Sequence, residues 1–323
     1  MTFGKLLTQY IASLGARPSK AKYSQLQRQF FCTPDWHERE ASAITRYDLL
    51  LLKQQLAATP AHANKVLGLV KQAYVWGGNT IDPQARRPIY DGPNPADTIR
   101  GFTCKSREVL MDHTQLRLIV NSLDFLDAKY RAFFTLRLLA PGRIKELCDM
   151  RWEHVDLVTG KWLKPTTKNG RQHIVPLPVQ AIEALETFRS ACPPPADSPG
   201  YVFKGACGRA ILPESVRKSW NRFRLDLHME GIWLLDFRRT LASYLYTVVK
   251  ADDMLVKAML NHYDGRPSAV YTRLSFDFLT PIMQRYADWV WLFKEEVSHA
   301  NTMDLFPAVH HDSPGIRANL SLQ

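Results

Sequence analysis

The chain has 323 residues, of which 46% are hydrophobic and 23% are charged. This composition excludes a globally disordered protein and leaves room for two domains. The net charge of +11 favours a polyanionic partner, although a basic protein without such a partner would have the same charge. The five cysteines form no C-x-x-C pair, which argues against a zinc ribbon or a disulfide framework. No segment has the design of a signal peptide or the length of a membrane span, so we expect a cytoplasmic protein.

The first hundred residues carry the signals of short helices. Thr45, with Asp48 three residues later, predicts a capping box at the start of a helix. A second helix is predicted from about Ala61 to Trp76, where apolar residues recur at helical spacing, and Gly77-Gly78 is predicted to end it.

The segment from residue 82 to residue 95 is rich in Pro and Gly, which is typical of a surface linker. We therefore predict a helical domain with its linker over residues 1–97 and a second domain over residues 98–323. The second domain is predicted to contain helices over residues 114–126, 127–139, 179–189, 214–228 and 237–250.

A β-hairpin is predicted inside the second domain. Two short apolar runs, Lys161–Lys164 and His173–Leu177, flank an Asn169-Gly170 turn, and both turn residues accept positive φ. Pro176 restricts the second run to the edge of a sheet. The predicted fold class is mainly α with a small antiparallel β-sheet.

Arg238 lies on the apolar face of its predicted helix, three and four residues before Leu241 and Ala242. A guanidinium on such a face is costly unless an anion meets it. The anion is either an internal carboxylate, Asp236 or Glu146, or a bound ligand.

Arg143 follows the Pro141-Gly142 turn and opens a helix, where a cation faces the positive end of the helix dipole. A conflict of this kind with local physics is typical of functional positions. The structural alternative is that Glu146, three residues later, compensates the charge.

Lys168, His262 and Tyr271 complete the set of candidate chemical groups. Each is uninformative alone, since solvated turn lysines, structural histidines and core tyrosines are common. Together with two arginines they could cut a phosphodiester without a metal ion. The arginines would hold the phosphate, the lysine would protonate the leaving oxygen, and the tyrosine would attack.

The order and context of these residues resemble the tyrosine recombinase (phage integrase) family. The chain carries, in the family's order, a first arginine segment, a lysine hairpin, a second arginine segment and a closing histidine–tyrosine segment, which are Ala140–Leu147, Thr167–Leu177, Leu235–Thr240 and Met259–Arg273. The helix at Ala61–Trp76 and the Asn94-Pro95 linker resemble the family's core-binding domain more weakly. Because the sequence starts close to this region, no separate arm-site domain is expected, which favours a recombinase that acts on short sites.

The resemblance implies a two-domain C-shaped clamp and a site-specific DNA recombinase. Such an enzyme cleaves and rejoins DNA through a covalent 3′-phosphotyrosine, for integration, excision or resolution, and uses no metal ion, ATP or other cofactor. The implied catalytic residues are Tyr271, Arg143, Arg238, Lys168 and His262. Glu146 would orient Arg143. The family usually has a histidine where this chain has Leu235, and leucine can neither bind a phosphate oxygen nor move a proton.

The implied partner is a double-stranded DNA recombination site in a mobile element, plasmid, phage or nucleoid. A homo-oligomer would bind it, as a dimer on each site and a tetramer in synapsis. Phosphate contacts are expected from dispersed basic residues, which are Lys65, Lys71, Arg86, Arg87, Lys164, Arg171, Arg217, Arg222, Arg239 and Arg273. The resemblance also implies that an amphipathic helix opened by Thr280-Pro281 docks into a neighbouring protomer, and packing on its own domain is the alternative.

Two other functions stay open. A type IB topoisomerase would relax DNA with the same nucleophile and phosphate clamp. A non-catalytic DNA-binding relative of the recombinases is the second possibility, and Leu235 favours it.

Overall fold

Apolar residues recur at helical spacing along most of the chain, and these segments form helices. The computed structural model describes residues 1–17, 19–167, 172–195, 200–205, 208–262 and 276–294. The described residues form two units, which divide in the sequence between Arg107 and Glu108, and each unit has its own apolar core. This division lies ten residues after the boundary predicted from composition.

The first unit is mostly helical. Its helices are α1 (Phe3–Ser13), α2 (Ser19–Phe30), α3 (Pro34–His37), α4 (Arg46–Gln55) and α5 (Pro60–Asn79). The predicted capping box at the start of α4 is confirmed, because Thr45 Oγ1 accepts from the Asp48 amide and Asp48 Oδ2 accepts from the Thr45 amide. Such reciprocal bonds satisfy backbone donors that the helix itself leaves without partners.

Helix α5 is longer than predicted, since it continues through Gly77 and Gly78 to Asn79. A Cβ atom at Gly77 would come within 2.9 Å of Leu6 Cδ1 and 3.1 Å of Tyr90 Cβ. Gly77 therefore allows neighbouring segments to approach the helix closely, and it does not end it.

The Pro- and Gly-rich segment after α5 lies mostly on the surface, as predicted, but it belongs to the first unit and is more than a linker. It contains a two-stranded antiparallel sheet, β1 (Ile81–Asp82) and β2 (Arg87–Pro88). Tyr90 is only 8% exposed and packs edge-on against Tyr74, with ring centroids 5.0 Å apart. The apolar ring of Tyr90 therefore anchors this part of the segment to the core, although the segment around it is rich in Pro and Gly.

The second unit is built around a buried helix. Its helices are α6 (His113–Ser122), α7 (Ala128–Leu139), α8 (Ile144–Cys148), α9 (Val179–Ala191), α10 (Pro213–Asp226), α11 (Leu234–Thr247), α12 (Asp253–Met259) and α13 (Phe276–Trp291). Residues 132–139 of α7 are buried on every side, as expected for a helix at the centre of a core.

A three-stranded antiparallel sheet lies in the same unit, in the order β3 (Val155–Asp156), β4 (Lys161–Lys164) and β5 (His173–Pro176). The predicted hairpin is confirmed, and its register pairs Lys164 with His173. Pro176 is on an edge strand, as predicted, where the missing N–H costs no ladder bond. Strand β3 was not predicted, because two residues carry no readable periodicity. The Asn169-Gly170 turn lies outside the described residues.

Helix α13 packs on its own unit, which is the alternative that the sequence left open for this apolar stripe. The helix begins at Phe276, before Pro281, and it buries Met283, Tyr286 and Val290 completely. Trp289 packs against Tyr244 with ring centroids 4.5 Å apart. None of the described helices combines the length and apolarity needed to cross a membrane.

Candidate active site

Helix α11 places Arg238 at the junction of three segments. The side chain is 9% exposed, and its two terminal nitrogens donate to the backbone carbonyls of Pro141 and Leu260. Nη2 also lies 3.5 Å from His262 Nε2. A guanidinium has five N–H donors, so two carbonyl acceptors do not saturate it.

The internal carboxylates that could have neutralised Arg238 pair with other cations. Asp236 accepts from the Trp233 amide at 2.8 Å and faces the Arg239 guanidinium at 3.3 Å. Glu146 forms ion pairs with Arg143 and Lys164. The buried charge of Arg238 therefore sits among backbone carbonyls, which suits a group that receives an anion from outside.

Arg143 is the N-cap residue of α8 and precedes its first turn. Glu146 Oε2 accepts from the Arg143 amide at 2.9 Å, and Oε1 accepts from its Nη1 at 2.9 Å. The compensation of Arg143 by Glu146 is thus present. It also fixes the direction of a guanidinium that stays 33% exposed.

Lys164 is buried inside the protein, so its predicted role as a surface contact to DNA is wrong. It is 4% exposed, and Nζ donates to Glu146 Oε2 at 2.8 Å. Burial lowers the pKa of Lys164 to about 8, against the attraction of Glu146. Burial raises the pKa of Glu146, but the charge of Lys164 and three hydrogen bonds outweigh it and lower this pKa to about 2. The 2.8 Å distance between Lys164 Nζ and Glu146 Oε2 indicates that both groups are charged.

His262 follows α12 and is exposed beside Arg238. Partial desolvation, followed by the charges of Arg238 and Arg143, lowers its pKa. Asn261 has a φ of 50°, a left-handed conformation that ends α12 and turns the chain towards His262. The neutral imidazole can then donate one hydrogen bond and accept another.

Two contacts that the sequence did not predict join the lysine hairpin to α12. Asn261 Nδ2 donates to Thr167 Oγ1 at 3.0 Å, and His173 Nε2 lies 3.0 Å from the Ala258 carbonyl. Lys168 directly follows Thr167 in the sequence, but it lies outside the described residues, as does Tyr271. The structure therefore brings together Arg143, Arg238, His262 and Glu146 from the predicted set.

Leu235 is 52% exposed at the start of α11 and offers no polar group to a ligand. Trp233, two residues earlier, is 49% exposed, and the Arg224 guanidinium lies 4.7 Å from its ring centroid. Within the described ranges, no group of three or more His, Cys, Asp and Glu side chains is placed to hold a metal ion.

Apart from the buried Lys164, the basic residues predicted to contact DNA fall into three groups. Lys65, Arg86, Arg87 and Arg222 are exposed. Lys71, Arg217 and Arg239 each form an ion pair, with Asp97 at 3.1 Å, Glu214 at 2.9 Å and Asp236 at 3.3 Å respectively. Arg171 and Arg273 lie outside the described residues.

Helix α2 carries a basic surface that the predictions missed. Its exposed cations are Lys20, Lys22 and Arg28. The signal was present in the sequence, because residues 1–34 contain no Asp or Glu. A basic stretch without acidic residues has no internal anions to neutralise it.

We expect the Glu146 carboxylate to make part of the stability of the second unit dependent on acid pH. Its pKa in the folded protein, about 2, is below its ordinary value of 4.5. The stabilisation is therefore complete above pH 4.5 and is lost as the pH falls towards 2. Thermal unfolding of the wild type and of Glu146→Gln should show a Tm difference at pH 6 that narrows below pH 4.5. The control Glu214→Gln breaks an exposed ion pair, and its Tm should differ little from that of the wild type at every pH. A Glu146→Gln difference that is constant with pH would contradict this assignment.

The sequence profile of the phage integrase family matches residues 110–277, just over half of the chain. Among curated proteins, tyrosine recombinase XerC of Xanthomonas axonopodis pv. citri is 30% identical over 185 residues. The match covers 55% of this chain and 58% of XerC, so the chain spans little more than half the length of this relative.

Two solved structures show the same fold at low identity. A lambda integrase dimer, residues 75–356, bound to a COC′ core site has a TM-score of 0.61 at 15% identity, covering 85% of this chain and 99% of that one. A lambda integrase tetramer bound to a Holliday junction has a TM-score of 0.62 at 14% identity, covering 85% and 80%. The mainly helical fold with small antiparallel sheets is thereby confirmed, and the chain belongs to the phage integrase family of tyrosine recombinases.

Proposed function

We propose that the protein is a site-specific DNA recombinase that cuts and rejoins DNA through a covalent bond between Tyr271 and a 3′ phosphate. The observation that carries this proposal is the convergence of Arg143, Arg238 and His262 from three separate segments. Arg238 donates to the Pro141 carbonyl, two residues before Arg143, and its Nη2 lies 3.5 Å from His262 Nε2. Guanidiniums are charged at every relevant pH and bind phosphate oxygens in pairs, which lysine cannot reproduce.

In the proposed reaction, the phenol oxygen of Tyr271 attacks the phosphorus atom, and the bond from phosphorus to the 5′ oxygen breaks. The phenol passes its proton to solvent water, and Lys168, which starts protonated, gives a proton to the departing 5′ oxygen. Arg143 and Arg238 stabilise the extra negative charge on the non-bridging oxygens. Because the new phosphotyrosine keeps the energy of the phosphodiester, a 5′ hydroxyl of another strand can reverse the step and complete the exchange.

The proposed partner is duplex DNA, with a dimer on each site and a tetramer during strand exchange. The lambda integrase dimer on a core site and the tetramer on a Holliday junction support this assembly. In the first unit, the acid-free α2 and the exposed Lys65 on α5 supply a basic surface. These contacts would bind phosphates and make affinity strongly dependent on salt. The DNA would be that of a bacterial nucleoid, plasmid or phage.

A non-catalytic DNA-binding protein is the second candidate, and the exposed Leu235 favours it, because no phosphate ligand stands at that position. Both candidates bind DNA. They differ in whether a covalent bond forms, so one assay separates them.

We expect the wild-type protein to become covalently attached to nicked DNA and Tyr271→Phe to lose this activity. The binding sequence is first selected from a random duplex library with Tyr271→Phe, which lacks only the phenol oxygen. A nick near the centre of the selected site lets the short cleaved fragment diffuse away and traps the adduct. The measurement is a denaturing gel, and a 5′ label on the cleaved strand should migrate with the protein.

Tyr263→Phe is the matched control, since it removes the phenol oxygen one residue after His262. It should keep the adduct. Binding of the selected DNA without any adduct from the wild type would assign the protein to the non-catalytic class.

A further inference from the structure

Helix α7 carries an arginine at the centre of the second unit. Arg137 is 1% exposed, within the run of buried residues from 132 to 139. A buried guanidinium is costly unless other groups replace its water. The carboxylates whose charges reach it, Glu146 and Asp236, form ion pairs with other cations. Its stabilisation therefore comes from other acceptors.

The acceptors of Arg137 are two backbone carbonyls, one in the first arginine segment and one directly before the second. Nη1 donates to the Gly142 carbonyl at 2.7 Å, and Nε and Nη2 donate to the Leu234 carbonyl at 3.0 and 2.6 Å. Gly142 precedes Arg143, and Leu234 opens the helix that carries Arg238. One buried side chain thus holds both phosphate-binding segments at a fixed separation.

Arg238 strengthens this connection from the other side. Its Nη1 donates to the Pro141 carbonyl, directly before the carbonyl that Arg137 holds. The turn before Arg143 is therefore fixed by two guanidiniums. Burial, with the charge of Arg238, lowers the pKa of Arg137 to about 9, so the group remains charged at neutral pH.

We propose that Arg137 is a positioning residue, which sets the distance and direction between Arg143 and Arg238 and adds a fixed positive charge behind them. This inference rests on the proposed function. A buried arginine is a poor choice for stability alone, because an apolar side chain of similar volume fills a core site at least as well. Its three bonds to the two arginine segments provide the specificity that an apolar residue cannot.

The test compares Arg137→Met and Arg137→Lys with the wild type in single-turnover adduct formation on nicked DNA. For Arg137→Met we expect the rate to fall by roughly 30- to 100-fold, as for a displacement of about 1 Å in a reacting site, with DNA affinity changed less than about threefold. Arg137→Lys should recover part of the rate, since it keeps the charge but lacks the planar fork that reaches both carbonyls.

Arg131→Met is the matched control. Arg131 lies on the same helix and donates to the carbonyls of Asp124 and Leu126, away from both arginine segments. Its removal should leave the adduct rate unchanged. A folded Arg137→Met variant with a wild-type rate would overturn the proposal, and Arg137→Lys carries the test if Arg137→Met does not fold.

A double variant distinguishes positioning from a general loss of structure. If Arg137 acts through Arg143, then Arg137→Met should slow an Arg143→Lys protein much less than it slows the wild type. If the two substitutions reduce the adduct rate independently, so that their fold-reductions multiply in the double variant, the inference is contradicted.

Amide hydrogen exchange gives a readout that does not depend on catalysis. Arg137→Lys should speed amide exchange in residues 140–148 and 233–240 and leave the exchange rates within α7 unchanged. If the wild type forms no adduct, the proposed function fails, but this exchange pattern still tests the connection. Unchanged or uniformly faster exchange would overturn it.

Discussion

Replacing Arg238 by lysine should reduce the rate of adduct formation by roughly 10²- to 10³-fold, equivalent to about 3–4 kcal/mol of barrier. Lysine keeps the charge but cannot hold the Pro141 and Leu260 carbonyls and present further donors to a phosphate. DNA affinity should change little, because most of it comes from dispersed phosphate contacts. The measurement is single-turnover adduct formation at saturating nicked DNA.

The matched control for this change is Arg285→Lys. Arg285 also donates to a backbone carbonyl, that of Val249, but it is exposed on α13, outside the proposed site. Its adduct rate should equal that of the wild type. An Arg238→Lys rate within a few-fold of the wild type would show that this guanidinium does not stabilise the reacting phosphate.

Replacing Glu146 by leucine should destabilise the protein by about 3–5 kcal/mol, because it leaves the 4% exposed Lys164 ammonium without its anion. The Arg143 amide and guanidinium lose their acceptor in the same step. Urea unfolding measures the loss of free energy, and the adduct rate should fall as well, since nothing then fixes the direction of Arg143.

The double variant Glu146→Leu with Lys164→Met separates the two effects. An apolar pair of similar volume should restore most of the stability, because the desolvation cost of both charges disappears. The adduct rate should stay low, since the acceptor for Arg143 is still missing. Equal stability of the double and single variants would mean that the unpaired Lys164 is not the cause of the loss.

Local conflicts in the sequence predicted part of the site. Arg238 on an apolar helical face and Arg143 beside a turn both break local rules, and the structure places them together. The hairpin was predictable because the Asn-Gly turn and its flanking runs are local signals. The positions of Lys168 and Tyr271 and their roles stay predictions.

Burial and long-range contacts account for what the sequence did not predict. Lys164 looks like a surface cation because the Glu146 carboxylate that neutralises it lies eighteen residues away. The role of Arg137 was not predicted, since its acceptor Leu234 is ninety-seven residues distant. The apolar stripe of α13 indicates a covered surface but does not say what covers it, and the structure places it on its own unit.

The most direct measurement is to locate the nucleotide on the protein after adduct formation and nuclease digestion. Trypsin should release residues 258–273 as one peptide, because Arg266 is followed by Pro267, and this peptide contains both Tyr263 and Tyr271. We predict that fragmentation in the mass spectrometer assigns a 3′-linked nucleotide phosphate to Tyr271. A nucleotide on Tyr263, on another residue or on none would contradict the proposed attack by Tyr271.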